Sequence, residues 1–232
     1  MIHNSDNYFF KSIPSSWEFK PLHAVVCINP EKLTEDTDPQ LEFDYVDIGN
    51  VSFGEGIVNK EFLTFEKAPT RARRIVQEGD TIVSTVRTYL KSVAMCTGIG
   101  NRMVVSTGFA VLRPNKHLNA EFLYRLVQSE PFIQQIVAKS VGVSYPAINA
   151  SEIGKIFVPI PPVETQGLIV SFLDSKLSAI NRIDNGAGNY GGSSSLVGRI
   201  SRALKSYRAA LITAAVTGQI DVTRYRGEAL CQ

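Results

Sequence analysis

The side chains best suited to chemistry in this sequence are cations, amides and hydroxyls, clustered in a few short segments. Three guanidinium groups lie within four residues, at Arg71, Arg73 and Arg74. Guanidinium and ammonium groups bind phosphates, while amides, hydroxyls and guanidinium groups can hydrogen-bond to base edges in a DNA groove. The other candidates are Arg87, Tyr89, Lys91, Asn101, Arg102, Lys139, Ser144, Tyr145 and Asn149. These residues predict a site for double-stranded DNA, although each single cation could equally be a solvated surface charge.

The distribution of charge supports an acidic partner for this part of the chain. The 232 residues carry a net charge of only +2, but residues 1–70 contain five basic and twelve acidic residues. Residues 71–149 contain ten basic and four acidic residues. A basic region is where nucleic acid binds. All of the predicted DNA-binding residues lie in this basic middle of the chain.

Patterns typical of catalysis and of metal binding are missing from the sequence. It has no phosphate-binding or dinucleotide-binding glycine loop and no Asn-Pro-Pro-Tyr-like methyl-transfer sequence. The three cysteines and three histidines show no metal-ligand spacing and no disulfide framework. Asp44, Asp47 and Asp80 are candidate carboxylates, and Asp80 is more simply a turn residue. We predict a non-catalytic protein with no metal and no cofactor of its own.

The expected cellular location follows from the absence of membrane-spanning and secretory segments in the sequence. No apolar run reaches the roughly 18 residues that a membrane span needs. The first residues lack the basic and apolar regions of a secretory signal. We therefore expect a soluble, cytoplasmic protein that does not bind a membrane.

Short strands and helices are predicted for the elements that position the candidate residues. Alternating or continuous apolar runs predict strands at 43–48, 93–96 and 104–112, and residues 75–86 predict two strands joined by a tight Glu-Gly-Asp turn. Residues Ala120–Val127 predict a helix with Asn119 as its N-cap, and a second helix begins at about Pro131. The pattern predicts an α+β recognition domain over residues 1–160, with a curled, mainly antiparallel sheet and a few helices.

Residues 161–232 have the spacing of a coiled-coil-type helical arm, interrupted by a Gly/Ser-rich loop at 185–195. Its apolar residues step by three and four positions, as in the a/d seam of a coiled coil. They are Leu173, Leu177, Ile180, Val197, Ile200, Leu204, Tyr207 and Leu211. The part from Val197 to Leu211 spans two heptads, which are too short to be stable alone in water. We expect these residues to form a dimer or partner interface; the alternative is a hairpin within the chain.

Two segments of the arm resemble a known family. The sequence Pro-Ile-Pro-Pro-Val-x-x-Gln-x-x-Ile-Val-x-Phe-Leu-Asp begins at Pro159, and Tyr-Arg-x-Ala-Leu-Ile-Thr-x-Ala-Val-Thr-Gly begins at Tyr207. Both resemble the conserved helical region of the specificity (S) subunit of Type I restriction-modification systems. Upstream, Ile13-Pro14-x-x-Trp17 and Gly79-Asp80-Thr81-Ile82-Val83-Ser84 resemble parts of its target recognition domain.

The chain also departs from the family pattern. Thr165 stands where the family usually has Glu, and the family's helix is normally continuous where residues 185–195 interrupt it here. Each segment occurs once, whereas family members usually contain two recognition domains and two helical regions. The resemblance is therefore to a half-size S subunit.

The resemblance implies a DNA sequence-recognition subunit with no catalysis of its own. It implies methyltransferase (modification) subunits as partners, with S-adenosylmethionine bound only by them, and it leaves open whether a restriction endonuclease subunit joins. Two copies of the half-size form would make a homodimer that recognises a bipartite target. The alternative function is a dimeric protein-interaction scaffold that does not recognise DNA.

Overall fold

Strands and helices alternate unevenly along the part of the chain that the computed structural model describes, which is residues 9, 10, 12–186 and 196–223. The strands are β1 (Glu18–Pro21), β2 (Val26–Ile28), β3 (Glu42–Val46), β4 (Val51–Ser52), β5 (Gly56–Ile57), β6 (Glu61–Thr64), β7 (Ala72–Val76), β8 (Thr81–Ser84), β9 (Val93–Met95), β10 (Met103–Ser106), β11 (Phe109–Pro114) and β12 (Phe157–Ile160). The α-helices are α1 (Ala120–Val127), α2 (Glu130–Lys139), α3 (Ala150–Gly154), α4 (Val163–Gly186) and α5 (Leu196–Val216).

The strands form two four-stranded sheets and two strand pairs. The order β2-β11-β8-β9 is antiparallel throughout, whereas β6-β3-β10-β7 contains one parallel pair, β3 with β10. Strands β1 and β12 pair with each other, and β4 and β5 form a short hairpin. The α+β class is confirmed. The single curled sheet is wrong in detail, because the strands separate into several sheets that do not close.

Burial on both faces of the first sheet explains this separation. In β8, Ile82 packs into a core shared with Met103 and Val105 of the second sheet, while Val83 packs against the helices. All four residues of β8 are buried. Strands covered on both sides have continuous apolar runs and no clean alternation. The sequence pattern therefore identified the strands without showing which sheet each one joins.

Helix α1 follows the prediction closely and forms the centre of the main core. Asn119 is its N-cap, and its side-chain oxygen accepts a hydrogen bond from the N–H of Phe122 at 2.9 Å. Phe122, Leu123 and Leu126 are fully buried. Helix α2 follows it directly, with a proline in its first turn. Both helices present apolar surface to the C-terminal helices.

Helices α4 and α5 pack against each other and against α1, and α5 also contacts α2. This contrasts with the extended arm expected from the sequence. The predicted interface residues Leu173, Leu177, Ile180 and Leu211 are buried in the chain's own core, together with Trp17 and Leu123. Burying each such side chain contributes about 1.5–3 kcal/mol to the stability of the fold. The apolar faces of α1 and α2 therefore favour packing of α4 and α5 within the chain.

The remaining seam residues have different environments. Ile200 and Tyr207 are exposed, at 41% and 58%, and Leu204 packs partly against the core. The side chain of Val197 and most of the predicted loop, residues 187–195, lie outside the described residues. None of the helices described here is long and apolar enough to cross a membrane.

We use the name helical junction for the region where α4, α5 and the turn after α5 pack on the rest of the chain. Gln166 is fully buried at its centre. Its side-chain oxygen accepts from the N–H of Asn119 at 2.7 Å, and its amide N–H groups donate to the carbonyls of His117 and Pro161 at 3.0 and 2.9 Å. This one side chain joins the start of α4 to the start of α1.

Candidate nucleic-acid interface

Two loops at one end of the first sheet carry most of the exposed candidate side chains. The first connects β8 to β9 and contains a single helical turn, Thr88–Leu90. The residues on either side of this turn, Arg87 and Lys91, have left-handed backbone angles with φ of 49° and 55°. That conformation costs a non-glycine residue roughly 1–2 kcal/mol. Such strain is retained where surrounding structure fixes the backbone, and it is common at ligand sites.

The second loop is a small hairpin at residues 141–147. Val141 and Ala147 exchange two backbone hydrogen bonds, of 2.8 and 2.9 Å. Gly142 turns the chain with φ of +112°, and a Cβ there would lie 3.1 Å from the carbonyl oxygen of Tyr145. A side chain at Gly142 would therefore strain the hairpin.

Backbone hydrogen bonds hold the hairpin against the first loop. The N–H of Arg87 donates to the carbonyl of Pro146, and that of Ile148 donates to the carbonyl of Thr85, both at 2.8 Å. The hydroxyls of Thr88 and Ser140 share a further hydrogen bond of 2.9 Å. The two loops therefore form one unit whose frame does not depend on the exposed side chains.

The side chains of this unit point outward and contact each other. The guanidinium of Arg87 lies over the ring of Tyr145, 4.9 Å from its centre, and Tyr145 remains 66% exposed. Val143 is fully exposed at the hairpin tip. Both features can contact a partner molecule with a flat or grooved surface: the cation stacked on an aromatic ring and the exposed apolar tip.

An open groove of about 660 Å³ runs beside the two loops. We call it the loop groove, and its lining includes Asp47, Phe53, Arg71, Arg87, Ser92 and Tyr145. Arg71 donates to both carboxylate oxygens of Asp47, at 2.6 and 3.2 Å. Burial alone would raise the pKa of Asp47, but the hydrogen bonds from Arg71 and the Ile48 backbone outweigh it and lower that pKa. The groove thus contains an oriented guanidinium that is still 54% exposed.

Some predicted residues lie on or beside the loop groove. Arg71, Arg87 and Tyr145 line it, and Ser144 is exposed in the hairpin next to Tyr145. Tyr89 is exposed in the first loop. Lys91 forms an ion pair with Glu130 at 3.0 Å and lies 5.9 Å from the centre of the Phe53 ring. These residues could contact one ligand together.

The other predicted residues lie elsewhere. Arg73 and Arg74 line a separate cleft, where Arg73 lies over Phe65 and burial lowers the pKa of Arg74. Asn101 and Arg102 precede β10. Arg71 lies near the other end of that strand, where Ser106 pairs with Ala72. The candidates at the two ends of the hairpin segment are exposed but do not line the groove. They are Lys139 and Asn149. Their predicted DNA contacts stay predictions.

Sequence reasoning missed the roles of several groove residues. The sequence identifies Asp47 as a candidate carboxylate and does not single out Phe53 or Ser92. The signal for Asp47 was its place directly after a strand and before a Gly-Asn turn. Asp80, by contrast, is buried; it caps its own turn at Gln77 N–H and accepts two hydrogen bonds from Arg113, at 2.9 and 2.8 Å. Within the described residues, no group of His, Cys, Asp and Glu could hold a metal ion.

Comparison with known proteins gives consistent matches. A family model described as "Type I restriction modification DNA specificity domain" matches residues 14–187. The Type I restriction enzyme HindI specificity subunit of Haemophilus influenzae is 27% identical over 155 residues, which are 61% of this chain and 34% of that protein.

Two solved structures are similar over most of the chain. The HsdS subunit from Thermoanaerobacter tengcongensis has a TM-score of 0.67 at 30% identity, covering 76% of this chain and 46% of that one. A structure concerned with complex assembly and conformational transition of the type I R-M system has a TM-score of 0.69 at 29% identity, with the same coverage. This chain spans less than half the length of these relatives.

Proposed function

Because the chain belongs to the family of Type I restriction-modification DNA specificity domains, we propose that it is a sequence-recognition subunit that binds double-stranded DNA through the loop groove. The observation that carries the proposal is the pair of loops, fixed to each other by backbone hydrogen bonds, with Arg87 and Tyr145 exposed on them. A rigid frame holds base-reading groups in place without requiring particular side chains at the reading positions.

Each exposed group has a suitable role in such a complex. Arg87 can donate two hydrogen bonds to one guanine edge, the commonest specific contact in a major groove. Arg71 is oriented by Asp47 and can bind a phosphate, as Lys91 can from the neighbouring loop. Val143 offers an apolar contact for a thymine methyl group. The proposed subunit has no catalytic step of its own, and methylation would be carried out by a methyltransferase partner that binds S-adenosylmethionine.

The proposed assembly is a homodimer bound to methyltransferase subunits. Two copies would place two recognition domains about a two-fold axis, and the DNA target would be palindromic and bipartite. Since Leu173, Leu177, Ile180 and Leu211 are buried within the chain, the exposed residues are the better candidates for contacts between copies or with the methyltransferase. They are Ile183, Ile200 and Tyr207. Cytoplasmic location would follow from this function.

Binding-site selection and footprinting with the reconstituted methyltransferase complex test the proposal. We expect two inverted half-sites separated by a nonspecific spacer. A continuous or asymmetric site would contradict the homodimer. No DNA binding at low salt would favour the protein-interaction scaffold instead.

Variants identify the contact residues. Arg87→Ala should weaken specific binding by about 1–3 kcal/mol and relax base preference at one position of each half-site. Arg71→Ala should weaken binding to all sequences and make the salt dependence less steep. Arg199→Ala, at an exposed position on α5 that does not line the loop groove, is the matched control and should change neither.

A further inference from the structure

A second cavity, of about 470 Å³, shares Phe53 with the loop groove but opens between the β4–β5 turn and the C-terminal helices. Its volume is in the range of small-molecule sites. The lining residues used below are Phe53, Gln128, Ile180, Leu204, Lys205 and Arg208. None of them belongs to the predicted DNA-binding set, although Phe53 also lines the loop groove and Ile180 and Leu204 belong to the predicted interface. The function proposed above assigns no ligand to this cavity.

The positive charge of Arg208 is not balanced inside this cavity. Its guanidinium donates to the side-chain oxygen of Asn181 at 2.8 Å and to the carbonyl of Gly54 at 3.3 Å, and both acceptors are neutral. Among the described residues no carboxylate forms an ion pair with Arg208. Lys205 precedes it by three positions on α5, which places both cations on one face of the helix. Glu55 is the acidic residue of the lining, so cations outnumber carboxylates by two to one.

Gln128 contributes an unused hydrogen-bond acceptor. The residue is only 5% exposed, and its side-chain oxygen has no hydrogen-bond partner. An unpaired buried amide oxygen destabilises the folded chain, and a hydrogen-bond donor from a ligand would offset this cost. The other walls are apolar, from Ile180, Leu204 and Ile212. The cavity therefore combines a cationic side, an apolar side and one free acceptor.

We propose that this cavity binds a small organic anion, in which a phosphate monoester or a carboxylate is attached to an apolar or aromatic body. Arg208 and Lys205 pair with the anionic group, while Ile180, Leu204 and Phe53 cover the body. A hydroxyl or N–H group of the ligand donates to Gln128.

Occupation of the cavity would also affect the loop groove. Arg208 connects α5 to the β4–β5 turn through Gly54, and the neighbouring Phe53 lines both sites. A bound anion fixes Arg208 and with it the position of this turn. DNA affinity should then respond to the ligand, a step that rests on the proposed function.

Titration of the whole chain with phenyl phosphate, followed by calorimetry, tests the site. Inorganic phosphate supplies the charge alone, phenol the body alone, and benzoate distinguishes a carboxylate from a phosphate ligand. We expect saturable binding of phenyl phosphate or benzoate. Inorganic phosphate and phenol should each bind at least about tenfold more weakly. Arg208→Gln should weaken binding by about tenfold or more, since a hydrogen bond to a charged group contributes roughly 1.5–3 kcal/mol.

Controls separate the site from nonspecific charge effects. Arg208→Lys should keep part of the affinity, and Arg199→Gln on the same helix should change it less than about twofold. Thermal unfolding shows whether each variant is folded. The absence of saturable binding, or equal losses in Arg208→Gln and Arg199→Gln, would overturn the proposed site.

A DNA titration with and without saturating phenyl phosphate or benzoate tests the coupling. We expect a change of at least about threefold in the dissociation constant, or roughly 0.65 kcal/mol. An unchanged constant overturns the coupling. Because the calorimetric titration contains no DNA, ligand binding by a chain that does not bind DNA would contradict the proposed function and leave the cavity site intact.

Discussion

The loop groove and the helical junction are constructed in opposite ways. In the loop groove, backbone hydrogen bonds such as Arg87 N–H to the Pro146 carbonyl hold the frame, and the side chains are exposed. In the helical junction, the fully buried side chain of Gln166 makes three hydrogen bonds to backbone groups of other segments. The first design tolerates changes in its side chains, and the second does not.

One of the segments that resemble the family belongs to the helical junction. Gly218, in the Ala-Val-Thr-Gly segment, has φ of +74°, and a Cβ there would lie 2.4 Å from Pro14 and 3.2 Å from Trp17. Pro14 and Trp17 belong to the segment Ile13-Pro14-x-x-Trp17, which also resembles the family. The two segments therefore contact each other in space. In this chain both segments thus take part in a packing contact.

The largest expected effect tests whether the apolar seam is intramolecular. Leu173→Ala removes a fully buried side chain and should lower the free energy of unfolding by about 2–5 kcal/mol. Thermal unfolding measured over a hundredfold range of protein concentration checks it. The loss in the midpoint should be the same at every concentration, because the seam packs within the chain.

Ile200→Ala is the matched control for this experiment. Ile200 occupies the same kind of heptad position on α5 but is 41% exposed. We expect a loss of less than about 1 kcal/mol in the free energy of unfolding. A destabilisation by Leu173→Ala that disappears at high concentration would show that Leu173 faces a second copy.

The second effect measures the buried hydrogen bonds of the junction. Gln166→Leu keeps the approximate volume but leaves the N–H of Asn119 and two carbonyls without partners. We expect the free energy of unfolding to fall by about 2–4 kcal/mol in chemical denaturation. Gln134→Leu, which removes only an exposed hydrogen bond to Glu130, should change it by less than about 0.5 kcal/mol. Similar losses in both variants would mean that Gln166 is not a structural centre.

The sequence predicted local structure well and long-range pairing poorly. Helix α1 and its Asn119 cap follow from residues close to each other in the chain, and they were predicted with the correct bounds. The heptad spacing of Leu173 and Leu177 identified the apolar face of α4, but spacing does not specify what covers that face. Asp47 and Arg71 are 24 residues apart. Nothing in the order of residues marks such a pair, so the loop groove could be predicted only as separate basic segments.

The third effect concerns the loop groove and should leave stability unchanged. Tyr145→Ala removes an exposed ring, so the free energy of unfolding should change by less than about 0.5 kcal/mol. Specific DNA binding should weaken by about 1–2 kcal/mol, because Arg87 loses the ring that orients its guanidinium. Fluorescence anisotropy with a selected target and a scrambled duplex checks this. Tyr145→Phe keeps the ring and should retain most of the affinity. A loss of stability in Tyr145→Ala would contradict the independence of frame and side chains.

The smallest effect concerns the contact between Asp47 and Arg71 in the loop groove. Asp47 has a lowered pKa because Arg71 and the Ile48 backbone stabilise its charged form against the effect of burial. A carboxyl group with a lowered pKa in the folded state contributes stability above its ordinary pKa of about 3.9, and loses that contribution as pH falls through the lower folded value. The contribution should stay below about 1 kcal/mol, because Arg71 is 54% exposed and solvent screens the pair.

Asp47→Asn should therefore reduce stability slightly at pH 7 and by a smaller amount as pH falls below about 4. Chemical denaturation of both proteins at pH 7, 5 and 3 measures the difference. If Asp47 mainly orients Arg71, the variant should also bind all DNA sequences more weakly, with a less steep dependence of binding on salt. A large loss of stability at pH 7 would mean that this contact belongs to the frame. The loop groove would then not tolerate a side-chain change at Asp47, and the contrast with the helical junction would not hold at this position.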